Sequence, residues 1–335
     1  MRVRAGLLAV VALLTVGTTG GCADGDGQPS SVPHPEPTRP ALAPDRVDFN
    51  GDGVRDTVKG HPDATVEHAR RAGTVTVTYG SRSWKADKDS GSAEPQQRTL
   101  REGHDGLPEQ AEPNDRFGAG LLTGDLDGDG RTDLVVNAPG ESWDGQQLSA
   151  GRSMILWGSR RGLSGATLVD RGSAAAYNAF AFMAIGDFNA DGHPDLVSPA
   201  GAGESSGSHA RIYDRVLYGP FKRSGKAAGS SHFGPRISDT AWLDAPVAGD
   251  FDDDGADDLV AILNYDNEET GLIMFDGSRT HGLTGSGSRP PGPDYPSNLT
   301  TSDLNKDGHP DLVVTTPDSR EVLYGRRGGL SRLKP

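Results

Sequence analysis

Asp48, Asp125, Asp187, Asp250 and Asp303 each open the same nine-residue cassette, Asp-x-(Asp/Asn)-x-Asp-Gly-x-x-Asp. The five copies read DFNGDGVRD, DLDGDGRTD, DFNADGHPD, DFDDDGADD and DLNKDGHPD. Oxygen donors at positions 1, 3, 5 and 9 suit a hard cation, with the carbonyl of position 7 adding another and Gly at position 6 allowing the sharp turn. The chemistry this implies is calcium binding, one ion per loop and about five sites in all. The expected ligands are Asp48, Asn50, Asp52, Val54 and Asp56 in the first loop, and Asp125, Asp127, Asp129, Arg131 and Asp133 in the second. The third supplies Asp187, Asn189, Asp191, His193 and Asp195, the fourth Asp250, Asp252, Asp254, Ala256 and Asp258. The fifth supplies Asp303, Asn305, Asp307, His309 and Asp311. In each set the position-7 residue contributes only its backbone carbonyl. Acidic β-turns without a metal are the competing reading, but acids converging without a cation repel one another.

An EF-hand loop begins the same way, yet it needs a bidentate Glu at position 12 and a helix on either side. Position 12 here is Lys59, Val136, Ser198, Ala261 and Val314, and none is acidic. After position 9 come apolar, largely β-branched runs such as Leu134-Val135-Val136 and Leu312-Val313-Val314. Those are strand sequences, so each loop is expected to join the two strands of a hairpin.

The cassettes start 77, 62, 63 and 53 residues apart. A unit near 60 residues accommodates about four strands, the size of one propeller blade. In the second unit, 117–124 is the expected approach strand, 134–137 the return, 151–156 a third strand ending at Trp157-Gly158-Ser159, and 167–170 a fourth. Tyr79-Gly80, Tyr218-Gly219, Phe275-Asp276-Gly277 and Tyr324-Gly325 repeat that third-strand ending, and Gly-Leu-(Ser/Thr) recurs at Gly162, Gly282 and Gly329. The aromatics are expected to pack between blades and not to form a ligand cage.

The composition agrees with an all-β fold. Among 335 residues there are 47 Gly and 23 Pro, and 34% are hydrophobic, which suits short strands joined by turns. The formal charge of −14 excludes nucleic acid as a natural partner. Residues 1–22 read as a signal peptide, with Arg2 and Arg4 before an apolar run, Ala5 to Val16, too short to span a bilayer. Thr19-Gly20-Gly21-Cys22 resembles the bacterial lipobox, making Cys22, the only cysteine, the expected lipidation site. Residues 23–45 are a Pro/Ser-rich tether. The repeats occupy 46–335, and 86–112 is a polar excess that is either a decayed strand or an insertion.

The run from Leu107 to Glu141, with Phe117-Gly118, the Asp125 cassette and Asn137-Ala138-Pro139, resembles an FG-GAP repeat, also called a VCBS-type repeat. That resemblance implies an integrin alpha-like β-propeller with one Ca2+ in the hairpin between the first two strands of each blade. Five cassettes favour five blades; a unit without its metal loop would give six, and integrin-type propellers have seven. Phe-Gly recurs at Phe233-Gly234, while Phe180-Ala181 stands in its place near the third unit.

Catalytic signatures are weak. Gly203-Glu204-Ser205-Ser206-Gly207 has the spacing of a nucleophile elbow but Gly/Ser flanks and no helix. His193 and His309 are expected to face solvent, Arg131-Thr132-Asp133 is a loop segment and not a recognition tripeptide, and the Asp252–Asp254 and Asp257-Asp258 acids make the fourth loop the densest. The favoured expectation is a non-catalytic binding or adhesion module on the outer face of the cell membrane, lipid-anchored, or secreted if Cys22 is not modified. Its partner would be an envelope glycan or protein. The alternatives are a hydrolase of carbohydrate or phospholipid esters on the same scaffold, and a structural spacer.

Overall fold

The computed structural model describes residues 47–80, 96–143, 146–149, 151–169, 184–198, 212–237, 241–265, 270–285 and 287–333. All of them belong to the compact unit Pro40–Pro335. Cys22, Phe180-Ala181 and the Gly203–Gly207 stretch lie outside the described residues. Among those residues every regular element is a strand.

Five antiparallel sheets follow one another along the chain. The first holds β1 (Thr57–His61), β2 (Thr74–Tyr79) and β3 (Gln96–Leu100). The second begins with β4 (Gly120–Gly124) and β5 (Asp133–Ala138). A small hairpin, β6 (Ser142–Trp143) and β7 (Gln146–Ser149), then precedes β8 (Arg152–Leu156) and β9 (Ala166–Leu168), which complete that sheet. The third is β10 (Ala184–Gly186), β11 (Asp195–Ser198), β12 (Ile212–Tyr218) and β13 (Gly229–Ile237). The fourth is β14 (Ala241–Gly249), β15 (Asp258–Tyr265) and β16 (Thr270–Phe275), and the fifth β17 (Asn298–Ser302), β18 (Asp311–Thr315) and β19 (Arg320–Leu323). Within each sheet the strands pair in sequence order, and the β6–β7 hairpin stands apart from the second.

Four cassettes sit in the turn between the first two strands of a sheet, as expected. Their position-9 residues Asp133, Asp195, Asp258 and Asp311 start β5, β11, β15 and β18. Asp56 immediately precedes β1, so the first cassette leads into a strand that corresponds to β5. Among the described residues, four strands per sheet is met only in the second and third. In the fourth and fifth the last strand shrinks to a single antiparallel bridge, Met274 with Ser288 and Tyr324 with Ser331. Phe233-Gly234 also differs from expectation. It lies in β13, the last strand of the third sheet, instead of approaching the fourth cassette.

Sheets stack face to face in chain order, and the alternation of side chains along a strand explains how. Leu134 and Val136 pack against Val75, Val77 and Tyr79 of the first sheet. Val135, between them, points the other way onto Leu196 and Leu217 of the third. Val197 and Val216 meet Leu259, Ala261 and Phe275, with Phe233 edge-on to Phe275 at 5.0 Å between ring centres. Val260 and Met274 meet Leu312, Val314 and Leu323. A central strand covered on both faces reads as an unbroken apolar run, and β5 is buried throughout. The first strands β1, β4, β10, β14 and β17 are successive neighbours. Sheets radiating from adjacent first strands are the propeller arrangement.

Position 2 of each cassette reports whether a following sheet covers it. Phe49, Leu126, Phe188 and Phe251 are fully buried, whereas Leu304 is 50% exposed. We expect Phe251→Ala to cost about 3–5 kcal/mol in denaturant unfolding and Leu304→Ala less than about 1 kcal/mol. Equal losses would contradict this stacking order.

Candidate metal centres

Each cassette closes on itself through its carboxylates. Position 1 accepts the N–H groups of positions 5 and 6, as in Asp129 N–H to Asp125 Oδ1 at 3.0 Å and Gly130 N–H to Asp125 Oδ2 at 2.8 Å. Asp48, Asp187, Asp250 and Asp303 make the same pair of contacts. Position 3 accepts the N–H of position 5 through Asn50, Asp127, Asn189, Asp252 and Asn305. Position 5 accepts the N–H of position 7, from Val54, Arg131, His193, Ala256 and His309. This winding demands left-handed backbone at position 6, where every residue is Gly, and also at position 4. Position 4 is Gly51 and Gly128 in two loops, but Ala190, Asp253 and Lys306 adopt φ of 51°, 65° and 63° in the others. Sequence reading left position 4 unassigned.

Position 9 has a second duty. Asp56, Asp133, Asp195, Asp258 and Asp311 are at most 1% exposed. One oxygen of each accepts the N–H of position 2, at 2.8 to 3.0 Å. The other accepts the N–H of the glycine that ends the third-strand motif: Gly80, Gly158, Gly219, Gly277 and Gly325, at 2.7 to 3.2 Å. A Cβ on those glycines would lie 2.4, 2.5, 2.5, 2.1 and 2.2 Å from the position-8 carbonyl oxygen. The aromatic-Gly repeat therefore has two roles. The aromatic packs between sheets, with Tyr79 Oη accepting from Leu163 N–H at 2.9 Å, and the glycine admits the loop.

Each of the first four cassettes is also stitched to the next sheet. The position-2 carbonyls of Phe49, Leu126, Phe188 and Phe251 accept the N–H groups of Ser159, Phe221, Ser278 and Arg326. Pro220 has no N–H, which explains why Phe221 serves one residue later in the third sheet. Position 8 helps at two junctions: Asp48 N–H donates to Thr132 Oγ1 at 2.9 Å and Asp187 N–H to Asp257 Oδ2 at 2.8 Å. Asp257 thus serves the third loop.

The side chains of position 7 correct an expectation. His193 lies against Gly128, its Cε1 3.2 Å from where a Cβ would stand, and His309 Nδ1 is 3.7 Å from Asp253 Oδ1. Both rings cover the preceding loop instead of facing solvent, and Arg131 covers Gly51 in the same way. Arg223, unmarked by sequence reading, enters the second loop from the third sheet. Its Nε is 2.7 Å from Asp127 Oδ2, its terminal nitrogen 3.0 Å from Asp129 Oδ2, and its guanidinium stacks 5.5 Å from the Trp157 ring centre.

The donor set fits a hard cation. Oxygens of Asp125, Asp127 and Asp133 lie within 4.8 Å of one another, as do those of Asp250, Asp252 and Asp254. In the other three loops position 3 is Asn, whose amide oxygen and nitrogen both turn to position 5. Burial, above all, pushes the Asp133 carboxyl up to about 7 and those of Asp195 and Asp258 to about 8. Neighbouring loop acids add to this, while the backbone N–H bonds oppose it.

Comparison with known proteins gives the loops a family. The class defined by fold and site is an all-β repeat protein with acidic hairpin loops. Residues 117–153 match the FG-GAP repeat and 250–314 an FG-GAP-like repeat, so the chain carries FG-GAP-type repeats. It is 34% identical over 161 residues to phosphatidylinositol-glycan-specific phospholipase D of Rattus norvegicus, covering 44% of this chain and 18% of that protein. With the Homo sapiens enzyme of the same name, identity is 33% over 134 residues, 38% of this chain and 15% of that one. The chain thus matches less than a fifth of those relatives' length. A structure of an Agrocybe aegerita lectin, described as recognising non-reducing terminal N-acetylglucosamine, superposes with a TM-score of 0.47 at 15% identity, covering 85% of this chain and 63% of the lectin. Rhamnogalacturonan lyase YesW gives 0.37 at 14%, covering 84% and 60%.

Two outcomes follow from the geometry. Gly277→Ala should cost about 1–3 kcal/mol by overpacking, whereas Gly271→Ala, with nothing within 4 Å of the added Cβ, should be near neutral in the same chemical denaturation. The second concerns pH. Carboxyls raised to about 7 and 8 in the fold keep protons that the unfolded chain has already released. Their contribution is complete below pH about 4 and is lost as pH rises toward about 8. The metal-free chain should therefore melt lower at pH 8 than at pH 5, and Ca2+ should offset the loss by binding the deprotonated loops. Metal-free melting temperatures that climb over this interval would refute the assignment.

Proposed function

We propose that this chain is a calcium-stapled propeller that acts as a binding or adhesion module on the outer face of the cell membrane, without catalysis of its own. The observation that carries the reading is the fivefold repetition of one acidic loop, placed four times in the first hairpin turn of a sheet and once at the entry to β1. In this proposal the ions bind Asp48, Asp125, Asp187, Asp250 and Asp303 with the position-3, -5 and -9 groups of each loop and the carbonyl of position 7. Bound calcium supplies positive charge to buried and half-buried carboxylates; the chain's own part is to hold those oxygens and, in the first four loops, to bond the loop to the next sheet. Cys22 carries the lipid, residues 23–45 act as the tether, and the folded part meets an envelope glycan or protein. The formal charge of −14 supports a non-nucleic-acid partner.

A second reading, hydrolysis of phospholipid or carbohydrate esters, is favoured by the phospholipase D likeness. That likeness spans 18% of the rat enzyme, which is the extent of a shared scaffold and leaves most of the relative unmatched.

The deciding experiment is a calorimetric Ca2+ titration of the chelated chain followed by thermal melting. At ten times Kd each site adds roughly 1.4 kcal/mol, and five add about 7 kcal/mol, comparable with a domain's whole stability. A large rise in melting temperature is expected, and replacing Asp125 and Asp127 together by Asn should remove one bound ion. Melting that ignores the metal would overturn the proposal.

A further inference from the structure

A second group of acids lies outside every cassette. Glu102 follows β3, Asp115 precedes the second sheet and Glu141 follows β5; they are 1%, 1% and 4% exposed. One carboxylate oxygen from each lies within 4.8 Å of the others. Two oxygens bound to one ion at about 2.4 Å can be no more than about 4.8 Å apart, so this spacing suits a shared ion.

Their hydrogen bonding is the independent sign. Both Oε atoms of Glu102 and Oε2 of Glu141 are buried without a hydrogen-bond partner. Buried polar atoms are nearly always satisfied, and a buried charge needs a counter-charge. Asp115 Oδ2 accepts the N–H of Glu112. The surrounding backbone is tied down: Asn114 N–H donates to Arg70 O at 3.0 Å, Gly140 N–H to Asp115 O at 2.9 Å and Gly151 N–H to Glu141 O at 3.0 Å. The carboxylates are therefore held together by main-chain bonds and not by any attraction among themselves.

Charge nearby is of the wrong sign. Glu109 and Glu112 raise both Glu102 and Glu141 further, and burial is the largest influence on each. Arg152 is a cation whose charge reaches Glu141, and it also pairs with Glu109 at 3.2 Å. A cavity of about 340 Å³, lined by Glu67, His68, Glu102, His104, Gln110 and Pro113, borders Glu102 and gives an ion and its waters a way in.

We infer that Glu102, Asp115 and Glu141 form a further site for a hard divalent cation of the Ca2+ type, tying the turn after β3 to both ends of the β4–β5 hairpin. The inference does not depend on the cassettes binding metal. Native mass spectrometry of the Ca2+-saturated full chain should count one ion fewer when Glu102→Gln and Glu141→Gln are combined. An unchanged count overturns the site, and a variant that also melts at or above the unaltered chain identifies protons as what neutralises these acids. The second measurement needs no variant. In Mn2+-soaked crystals of the unaltered chain, anomalous scattering should place a peak among the three carboxylates. A map without that peak overturns the inference whatever the cassettes show, and peaks in the cassettes are scored separately.

Discussion

The position-9 aspartate is the constraint on which the other features depend. Its two oxygens accept one N–H from the start of the loop and one from the glycine of the aromatic-Gly motif, in all five units. Both N–H groups converge on this one side chain, and the bond pair is strongest when the carboxyl is ionised. Removing the carboxylate would orphan two buried donors, an expensive loss. From that bond pair follow the glycine after the aromatic, the close approach of the position-8 carbonyl and the fixed start of the return strand. The loop is then rigid enough to offer its position-2 carbonyl to the next sheet.

Such an arrangement concentrates negative charge where water is scarce. Desolvation raises Asp56, Asp125 and Asp187 as well as the three strongly shifted position-9 groups. The fold deals with the charge in different ways at different junctions. Asn replaces Asp at position 3 in three loops, Arg223 reaches the outer oxygens of Asp127 and Asp129 in the second, and Asp257 turns to the Asp187 N–H. The fourth loop is consequently less crowded than its six acids suggest, since Asp257 faces the third loop and Asp253 faces His309. Asp250, Asp252 and Asp254 remain as the converging set.

Most of the fold was legible because repetition averages out local ambiguity. The cassette-to-strand transition at Asp133, Asp195, Asp258 and Asp311 could be read from the apolar runs behind them, and aromatic packing between sheets from Tyr79 and Tyr218. Apart from the left-handed position 4, the missing features share one property: they depend on contacts between units. Nothing local marks Arg223 as a partner of Asp127, nor position 8 as a cap for the preceding loop. Phe233-Gly234 carries the family pair of residues but sits in β13, because packing on Phe275 and not local sequence decides where that phenylalanine goes. Glu102, Asp115 and Glu141 come from a turn, a lead-in and a strand exit. No spacing rule unites them, and the polar stretch that ends with Glu112 resolves in part into β3, the third strand of the first sheet.

The fifth cassette separates what a loop needs for its own shape from what it needs from a neighbour. Its internal bonds match the others: Asp303 accepts from Asp307 and Gly308, and Asp311 accepts from Leu304 and Gly325. Yet Leu304 is half exposed where its four counterparts are buried. Closure of the loop is therefore a property of the nine residues and their glycine partner, while burial of position 2 is a property of the junction. The strained position 4 supports the division: Lys306 keeps its left-handed backbone without a following sheet, as Ala190 and Asp253 do with one. Because left-handed backbone is costly for residues other than Gly, the hydrogen bonds within the loop are what hold it there, and docking adds rigidity to a shape already made.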